Sequence, residues 1–238
     1  LGNVGFSQVD SIYIVKGDSV LAVYATTDVD SVIFYNPNPI DTTTNSTITD
    51  ADGNVYTSVT IGTQEWMVEN LRTSKYSDGT AIPNVTDNDE WYDLSTGAWC
   101  HYDNDSQYDT ILDNFGGSNY GKLYNFYAVE TGKLCPTGWH VPTDAEWTVL
   151  TDYLAADGHS GAEGKALKST SGWQSINGTN LRNGTDDYGW SGLPGGFRFS
   201  LGFHSIGSYA QWWTSSEQSG GGLGRSFDGN LDSVGRYS

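Results

Sequence analysis

Two cysteines and four histidines are the side chains of this chain best suited to nucleophilic chemistry: Cys100 and Cys135, with His101, His140, His159 and His204. A thiol nucleophile needs an imidazole or an equivalent base within hydrogen-bond reach. Nothing in this spacing favours such a pair, and Cys100 and His101, being adjacent, would point to opposite faces of a strand. The two cysteines either pair or stay free; the sequence does not decide between them. Metal chemistry is the next class to weigh. Asp50-Ala51-Asp52-Gly53-Asn54 begins like an oxygen-ligand calcium loop, but Ile61 occupies the position where that loop places its bidentate acid. The stretch reads instead as a hairpin turn. Asp103-Asn104-Asp105 and Asp186-Asp187 are either calcium donors or turn formers. Four dispersed histidines make no zinc pattern. No cofactor is expected, with a structural calcium ion the one metal these acids leave open, and the chain reads as a non-enzyme.

Recognition is better served. Trp212-Trp213-Thr214-Ser215-Ser216-Glu217, taken as a strand, sends its two indoles to opposite faces. At most one then enters the core, and the other is a platform for a sugar ring or a protein partner. The competing reading buries both under long loops. Residues 217–238 are small and polar, with occasional aromatics and arginines, as in an adaptable paratope or a Gly-rich surface hairpin. The candidate ligand-binding residues are Trp213, Ser215, Glu217, Arg225, Asp228, Asn230, Asp232, Arg236 and Tyr237, with a glycan or a surface protein as the ligand class.

Composition narrows the partners. The net charge is −18, from 29 acidic and 11 basic residues, so the surface repels nucleic acid and anionic membrane. No run approaches the roughly 20 apolar residues needed to cross a bilayer. With 30 glycines and 9 tryptophans, the chain has the makings of a loop-rich fold held by large apolar anchors.

The elements that must position these residues fall into two parts. Residues 1–46 hold short β-type runs around Ile12–Ile14, Val20–Val23 and Val32–Phe34, then an Asn-, Pro- and Thr-rich linker at 36–46. A boundary is expected near residue 46. Beyond it, residues 47–61 read as a hairpin turning at Asp52-Gly53, followed by a strand at 64–68. Residues 72–120 look irregular, anchored by Trp91, Trp99, Tyr102 and Tyr108. A helix is expected over 121–130, burying Leu123, Phe126, Tyr127 and Val129. Thr143 and Glu146 stand at capping-box spacing, and Trp147, Leu150, Tyr153 and Leu154 follow at helical spacing, which predicts a helix over 144–155. A short helical turn at 162–167 and strands near 196–201, 210–215 and 224–228 complete the reading.

Several stretches together carry a family resemblance. They are Asp52-Gly53-Asn54-Val55-Tyr56, the run from Gly62 to Leu71 (GTQEWMVENL), Leu123 to Val129 (LYNFYAV), Cys135 to Trp147 (CPTGWHVPTDAEW), and Leu193-Pro194-Gly195-Gly196-Phe197-Arg198. In these the chain resembles the Fibrobacter succinogenes major paralogous domain, found on secreted and surface proteins of Fibrobacter and Bacteroidota. That family is similar in turn to the C-type-lectin-like fold of formylglycine-generating enzymes. The resemblance implies an α+β, C-type-lectin-like domain over 47–238, with two helices on a twisted antiparallel sheet under long loops. It also implies an extracellular, cell-surface location, with Leu1 following a removed leader. The catalytic relatives use a cysteine pair near the C-terminus, and no cysteine follows Cys135 here. The Glu-Pro-Asn and Gln-Pro-Asp triplets of calcium-dependent lectins are absent as well. Relatives continue into a closing strand, so an open sheet edge is expected after Ser238, left by processing or completed by another strand. Asp followed by Ser or Thr and then an apolar residue or Thr resembles the O-glycan acceptor motif of exported Bacteroidota proteins. It marks Ser11, Ser19, Ser31, Thr42, Thr110 and Ser233. The expectation is a non-enzymatic adhesion or ligand-recognition module. The alternative is a structural or accessory subunit of a surface assembly, docking through its N-terminal strands or open edge.

Overall fold

A computed structural model describes residues 11–16, 19–25, 48–109, 119–175, 181–199, 202–218 and 221–238. The chain divides into two compact units, residues 1–46 and 47–238. In the first, β1 (Ser11–Lys16) and β2 (Ser19–Ala25) form an antiparallel hairpin running from Ser11↔Ala25 to Lys16↔Ser19, with a register shift between Ile14 and Val15. The strand expected around Val32–Phe34 and the linker at 36–46 lie outside the described residues.

The second unit is α+β, built from short helices and small antiparallel sheets. It opens with β3 (Ile48–Thr49) paired to β4 (Val55–Tyr56). The Asp50 carboxylate organises the turn between them. It accepts hydrogen bonds from the Asp52 and Asn54 amides at 2.9 Å each and from the Tyr56 hydroxyl at 2.6 Å. Gly53 supplies the left-handed residue, at φ 85°. The carboxylate thus organises its own hairpin turn. Next come β5 (Ser58–Ile61) and β6 (Gln64–Met67), a tight hairpin about Gly62.

Within the stretch expected to be irregular lie α1 (Asn88–Tyr92), capped by the Asp87 carboxylate, and β7 (Trp99–Cys100). The strand β7 pairs with β8 (Leu123–Tyr124), and this pairing shortens the helix expected over 121–130. The helix that remains is α2 (Phe126–Glu130). Asn125 caps it, its side-chain oxygen accepting from the Ala128 amide at 3.1 Å and from the Ala98 amide at 2.9 Å. Leu123 therefore serves a strand, and Tyr127, expected to be buried, is 42% exposed.

The helix α3 (Asp144–Leu154) starts on the full capping box. Thr143 Oγ1 accepts from the Glu146 amide at 3.1 Å, and Glu146 accepts from the Thr143 amide at 2.7 Å. Trp147, Leu150 and Leu154 are buried, whereas Tyr153 is 41% exposed. A turn of π-helix over 155–159 follows, then α4 (Glu163–Leu167). The hairpin β9 (Phe197–Phe199) and β10 (Gly202–His204) precedes a three-stranded sheet of order β11–β12–β13: β11 (Tyr209–Gln218), β12 (Gly221–Asp228) and β13 (Gly235–Tyr237). Two apolar cores flank this sheet. One gathers Trp66, Trp147, Leu150, Leu154, Trp173, Trp190 and Phe227; the other joins Ile82, Ala128, Val129 and Leu134.

Candidate recognition surface

Strand alternation sets the two faces of the terminal sheet. On β12, Leu223, Arg225 and Phe227 face one way, and Gly222, Gly224 and Ser226 the other. All six are buried, because β12 is the central strand and both faces are covered. Residues 222–227 of the Gly-rich stretch are therefore packed and not a free paratope, whereas Gln218 and Gly221 at the tip of the β11–β12 hairpin are exposed. Its glycines admit aromatic rings: a Cβ on Gly222 would sit 2.2 Å from the Phe126 ring, and one on Gly224 would sit 2.2 Å from Tyr237 Cζ.

Both indoles of the Trp212-Trp213 pair are covered, each by its own core. Trp212 packs against Phe227 with ring centroids 4.7 Å apart and donates its N–H to Asn70 Oδ1 at 3.2 Å. Trp213 packs between Phe126 (5.4 Å) and Tyr237 (6.0 Å) and donates to the Tyr124 carbonyl at 2.8 Å. Both remain half-buried. The single-platform reading is thus corrected: Trp213 and Tyr237 chiefly close the face over α2. Burial also pushes the Tyr237 hydroxyl above its ordinary pKa.

Arg225 needs the firmer correction. It is 7% exposed and lies under α3, donating from Nε to Asp144 Oδ1 at 3.1 Å, and from Nη2 to the Asp144 carbonyl at 3.0 Å and Thr148 Oγ1 at 3.1 Å. A guanidinium so occupied is a brace and not a presented contact. Its cross-strand neighbour Arg236 shares Asp144, with Nε 3.1 Å from both carboxylate oxygens, and reaches Gln218 Oε1 at 3.3 Å. Burial alone would raise the Asp144 pKa. The hydrogen bonds and charges of Arg236 and Arg225 outweigh it and hold the group below its usual value.

The remaining candidates separate into two rims. Ser215, Glu217 and the outer part of Arg236 are exposed at one end, where the Ser215 amide donates to the Pro142 carbonyl at 3.0 Å. Asp228, Asn230 and Asp232 belong to the turn at the other. Glu217 pairs with Gly222, and β12 runs on to Asp228, so the rims stand about 20 Å apart at 3.3 Å per residue. One small ligand does not span them.

A residue without an obvious sequence signal fixes the second rim. Lys168 is 1% exposed, and its ammonium donates to the Asp228 and Leu231 carbonyls at 2.6 Å each while lying 4.9 Å from the Trp173 ring centroid. Burial pushes its pKa down to about 8, against the raising influence of Asp232 and Asp228. From α4, the Lys165 amide donates to the Asp232 carbonyl at 2.8 Å. Gly164 permits that approach, since a Cβ there would meet the Ser233 carbonyl at 2.7 Å. Asn230 and Asp232 stay exposed on this pinned turn.

Other chemistry is muted. Cys100 and Cys135 are both free; burial pushes their thiols up to about 11 and about 12. Among the described residues no group of three or more His, Cys, Asp or Glu side chains converges as metal ligands would. Asp186 instead fixes a turn by accepting from the Ser191 amide at 2.7 Å. Of the O-glycan candidates, Ser11 and Ser19 begin β1 and β2, and Ser233 is half-buried in the pinned turn. Ser31, Thr42 and Thr110 lie outside the described residues. No described helix is long and apolar enough to cross a membrane.

Among known families, the Fibrobacter succinogenes major domain matches the chain over residues 59–228. The chain belongs to this family. No curated protein and no solved structure matches it. The Fibrobacter succinogenes major domain takes in α1 to α4, both cores and the central strand β12, and its match stops at Asp228. Trp213, Ser215, Glu217, Arg225 and Asp228 therefore sit inside the family match. Asn230, Asp232, Arg236 and Tyr237, together with β13, lie just past it, while Lys168, which pins their turn, lies within.

Proposed function

We propose that this chain is a non-enzymatic, secreted or cell-surface binding module whose C-type-lectin-like domain recognises a glycan or protein ligand through the rims of its terminal sheet. The observation that carries this reading is the turn after β12. Asn230 and Asp232 stand exposed on a backbone held from beneath by the buried Lys168 ammonium through two 2.6 Å bonds. A polar turn fixed on a rigid scaffold loses little entropy when it engages a partner, which is how loops serve recognition. The free thiols speak against a cysteine nucleophile: held near 11 and 12, they stay protonated at neutral pH. The acidic surface favours a neutral or basic partner over nucleic acid.

The test is binding of the full chain to a glycan array and to an immobilised fraction of bacterial surface proteins. The Asn230→Ala/Asp232→Ala double variant should lose most of its binding to at least one of the ligands captured, with its unfolding midpoint unchanged. Undiminished binding would move the site off this rim. A second reading, a subunit of a surface assembly, draws on β13, whose outer edge has no strand partner among the described residues. Light scattering on the natively purified protein separates the two: a 25.9 kDa monomer supports the binding module, and a stable larger assembly supports the subunit.

A further inference from the structure

Away from the terminal sheet, the C-terminal end of α3 carries a group of side chains at the edge of the first core, against which Tyr188 packs. Tyr153 lies in the last turn of α3, and the π-helical turn that follows, with Gly158 at φ 100°, carries Asp157 and His159. Tyr188 stands between them. Its ring centroid is 6.3 Å from that of Tyr153 and 5.6 Å from that of His159, crosswise to both at 69° and 71°, and its hydroxyl donates to Asp157 Oδ2 at 2.5 Å. Asp187 Oδ2 is 3.8 Å from His159 Nε2 and accepts from Thr185 Oγ1 at 2.7 Å. Asp157 and Asp187 are both exposed.

The Tyr153 ring is backed. A Cβ built on Gly62 would lie 2.9, 3.0 and 3.3 Å from three of its ring atoms, so the ring rests face-on against a glycine whose φ is 61°. Its 41% exposure therefore belongs to the opposite face and the edge. The result is a flat, braced aromatic face beside two solvent-exposed carboxylates and an imidazole.

The chemistry of these groups selects among ligands. An apolar peptide would strip water from Asp157 and Asp187 without supplying donors, which costs free energy. An anionic ligand would meet two like charges. An ammonium is best held by several open aromatic faces, and here Tyr188 is packed crosswise against both Tyr153 and His159, so the outer face of Tyr153 is the one this group offers. A neutral sugar satisfies all three constraints. Its C–H face stacks on Tyr153, and its hydroxyls donate to the carboxylates, much as aromatic platforms with polar neighbours hold other flat ligands. We infer that Tyr153, Asp157 and Asp187 form a carbohydrate-binding site that takes a neutral hexopyranose ring on the open face of Tyr153. It shares with the proposed function only the premise that the domain binds a ligand, and it places a site distinct from the turn after β12.

The test uses the full chain on an array of neutral glucose, galactose and mannose oligosaccharides, with uronate-bearing oligosaccharides and an oligolysine peptide for comparison. The neutral set should be captured in preference to the other two. Calorimetry with the best neutral oligosaccharide should show a loss of about tenfold or more in Tyr153→Ala. Because that variant also removes a packing ring, Asp157→Asn/Asp187→Asn supplies a shape-preserving second test and should weaken binding to a similar degree. Asn230→Ala/Asp232→Ala should leave this affinity unchanged. No capture of neutral oligosaccharides, preferential capture of oligolysine, or full affinity in both the Tyr153 and the Asp157/Asp187 variants would overturn the site. Neutral-glycan binding that falls in Asn230→Ala/Asp232→Ala and not in the Tyr153 and Asp157/Asp187 variants would overturn it while leaving the proposed function standing.

Discussion

Replacing Lys168 with methionine should change how stability depends on pH more than it changes stability itself. The ammonium is 1% exposed, and burial brings its pKa from 10.5 to about 8. That fall corresponds to about 3.4 kcal/mol of preference for the neutral amine in the folded state. The sign follows from proton counts. Below pH 8 both states carry the proton and the full cost of the buried charge is present. Between 8 and 10.5 the unfolded chain binds more protons, so stability rises with pH. Integrated from pH 7 to pH 9, the gain is about 1.3 kcal/mol. Methionine lacks this dependence but leaves the Asp228 and Leu231 carbonyls without their donor, at about 1–3 kcal/mol each. At neutral pH those losses and the relieved burial nearly offset, so the slope is diagnostic and the offset is not. The thiols of Cys100 and Cys135, pushed up by burial, lower stability above pH 9, but they do so equally in both proteins and cancel in the difference. All nine tryptophans lie beyond residue 46, so indole fluorescence in urea reports the second unit alone. The wild type should gain about 1.3 kcal/mol on Lys168→Met between pH 7 and 9. A difference that stays flat would show that the two carbonyl bonds hold the ammonium charged at its ordinary pKa, and the account of burial would fail.

Three further outcomes follow from the terminal sheet and its surroundings. Gly224→Ala places a methyl 2.2 Å from Tyr237 Cζ and should cost at least about 1–3 kcal/mol in urea unfolding, while Gly221→Ala, with its nearest atom at 3.9 Å, should be close to neutral. Asp144→Ala strands Arg225, whose side chain is 8% exposed, and should cost about 3–5 kcal/mol. Because Asp144 is held below its ordinary pKa, its contribution is present at neutral pH and lost as pH falls through the folded value; Asp144→Asn should therefore flatten the acid limb of the stability profile. Cys100 and Cys135 should both titrate with a thiol reagent in denaturant and resist it in the native state at pH 8, and an intact mass lower by two hydrogens would contradict the free pair.

What was readable in the sequence was local. The α3 capping box needs only Thr143 and Glu146 at the right spacing, and the turn at Asp50–Asn54 needs only a carboxylate followed by glycine. The α2 boundary was not local: Leu123 and Tyr124 have helical company, but a partner strand at Trp99–Cys100 claims them. The glycines of β12 misled for a related reason. Glycine marks a flexible loop as readily as a place where another group must come close, and only the positions of Phe126 and Tyr237 decide which. The indole pair followed the alternation of a strand, yet periodicity says nothing of whether one core or two await the side chains. Lys168 gave no signal, because a lone lysine at the end of a short helix is usually solvated.

The covering of both sheet faces has a consequence for how this domain acquires a partner. Residues 222–227 are committed to packing, so substitutions there act first on stability. The rims carry the opposite balance. Ser215, Glu217, Asn230 and Asp232 are exposed, and the turn that carries Asn230 and Asp232 takes its shape from Lys168 and Lys165, which reach its backbone carbonyls, and from Asp228, whose Oδ1 accepts from the Asn230 amide at 2.7 Å. The chemistry offered at 230 and 232 can therefore change without disturbing what holds the turn, as long as Lys168 and Asp228 remain. The organising carboxylates themselves lack that freedom: Asp228 in this turn and Asp50 in the first hairpin each hold the backbone of their own loop. Exchanging Asn230 and Asp232 for other polar residues should thus alter binding while leaving the unfolding midpoint within the range of ordinary surface substitutions, about 0.5 kcal/mol. The same exchange at Asp50 should not.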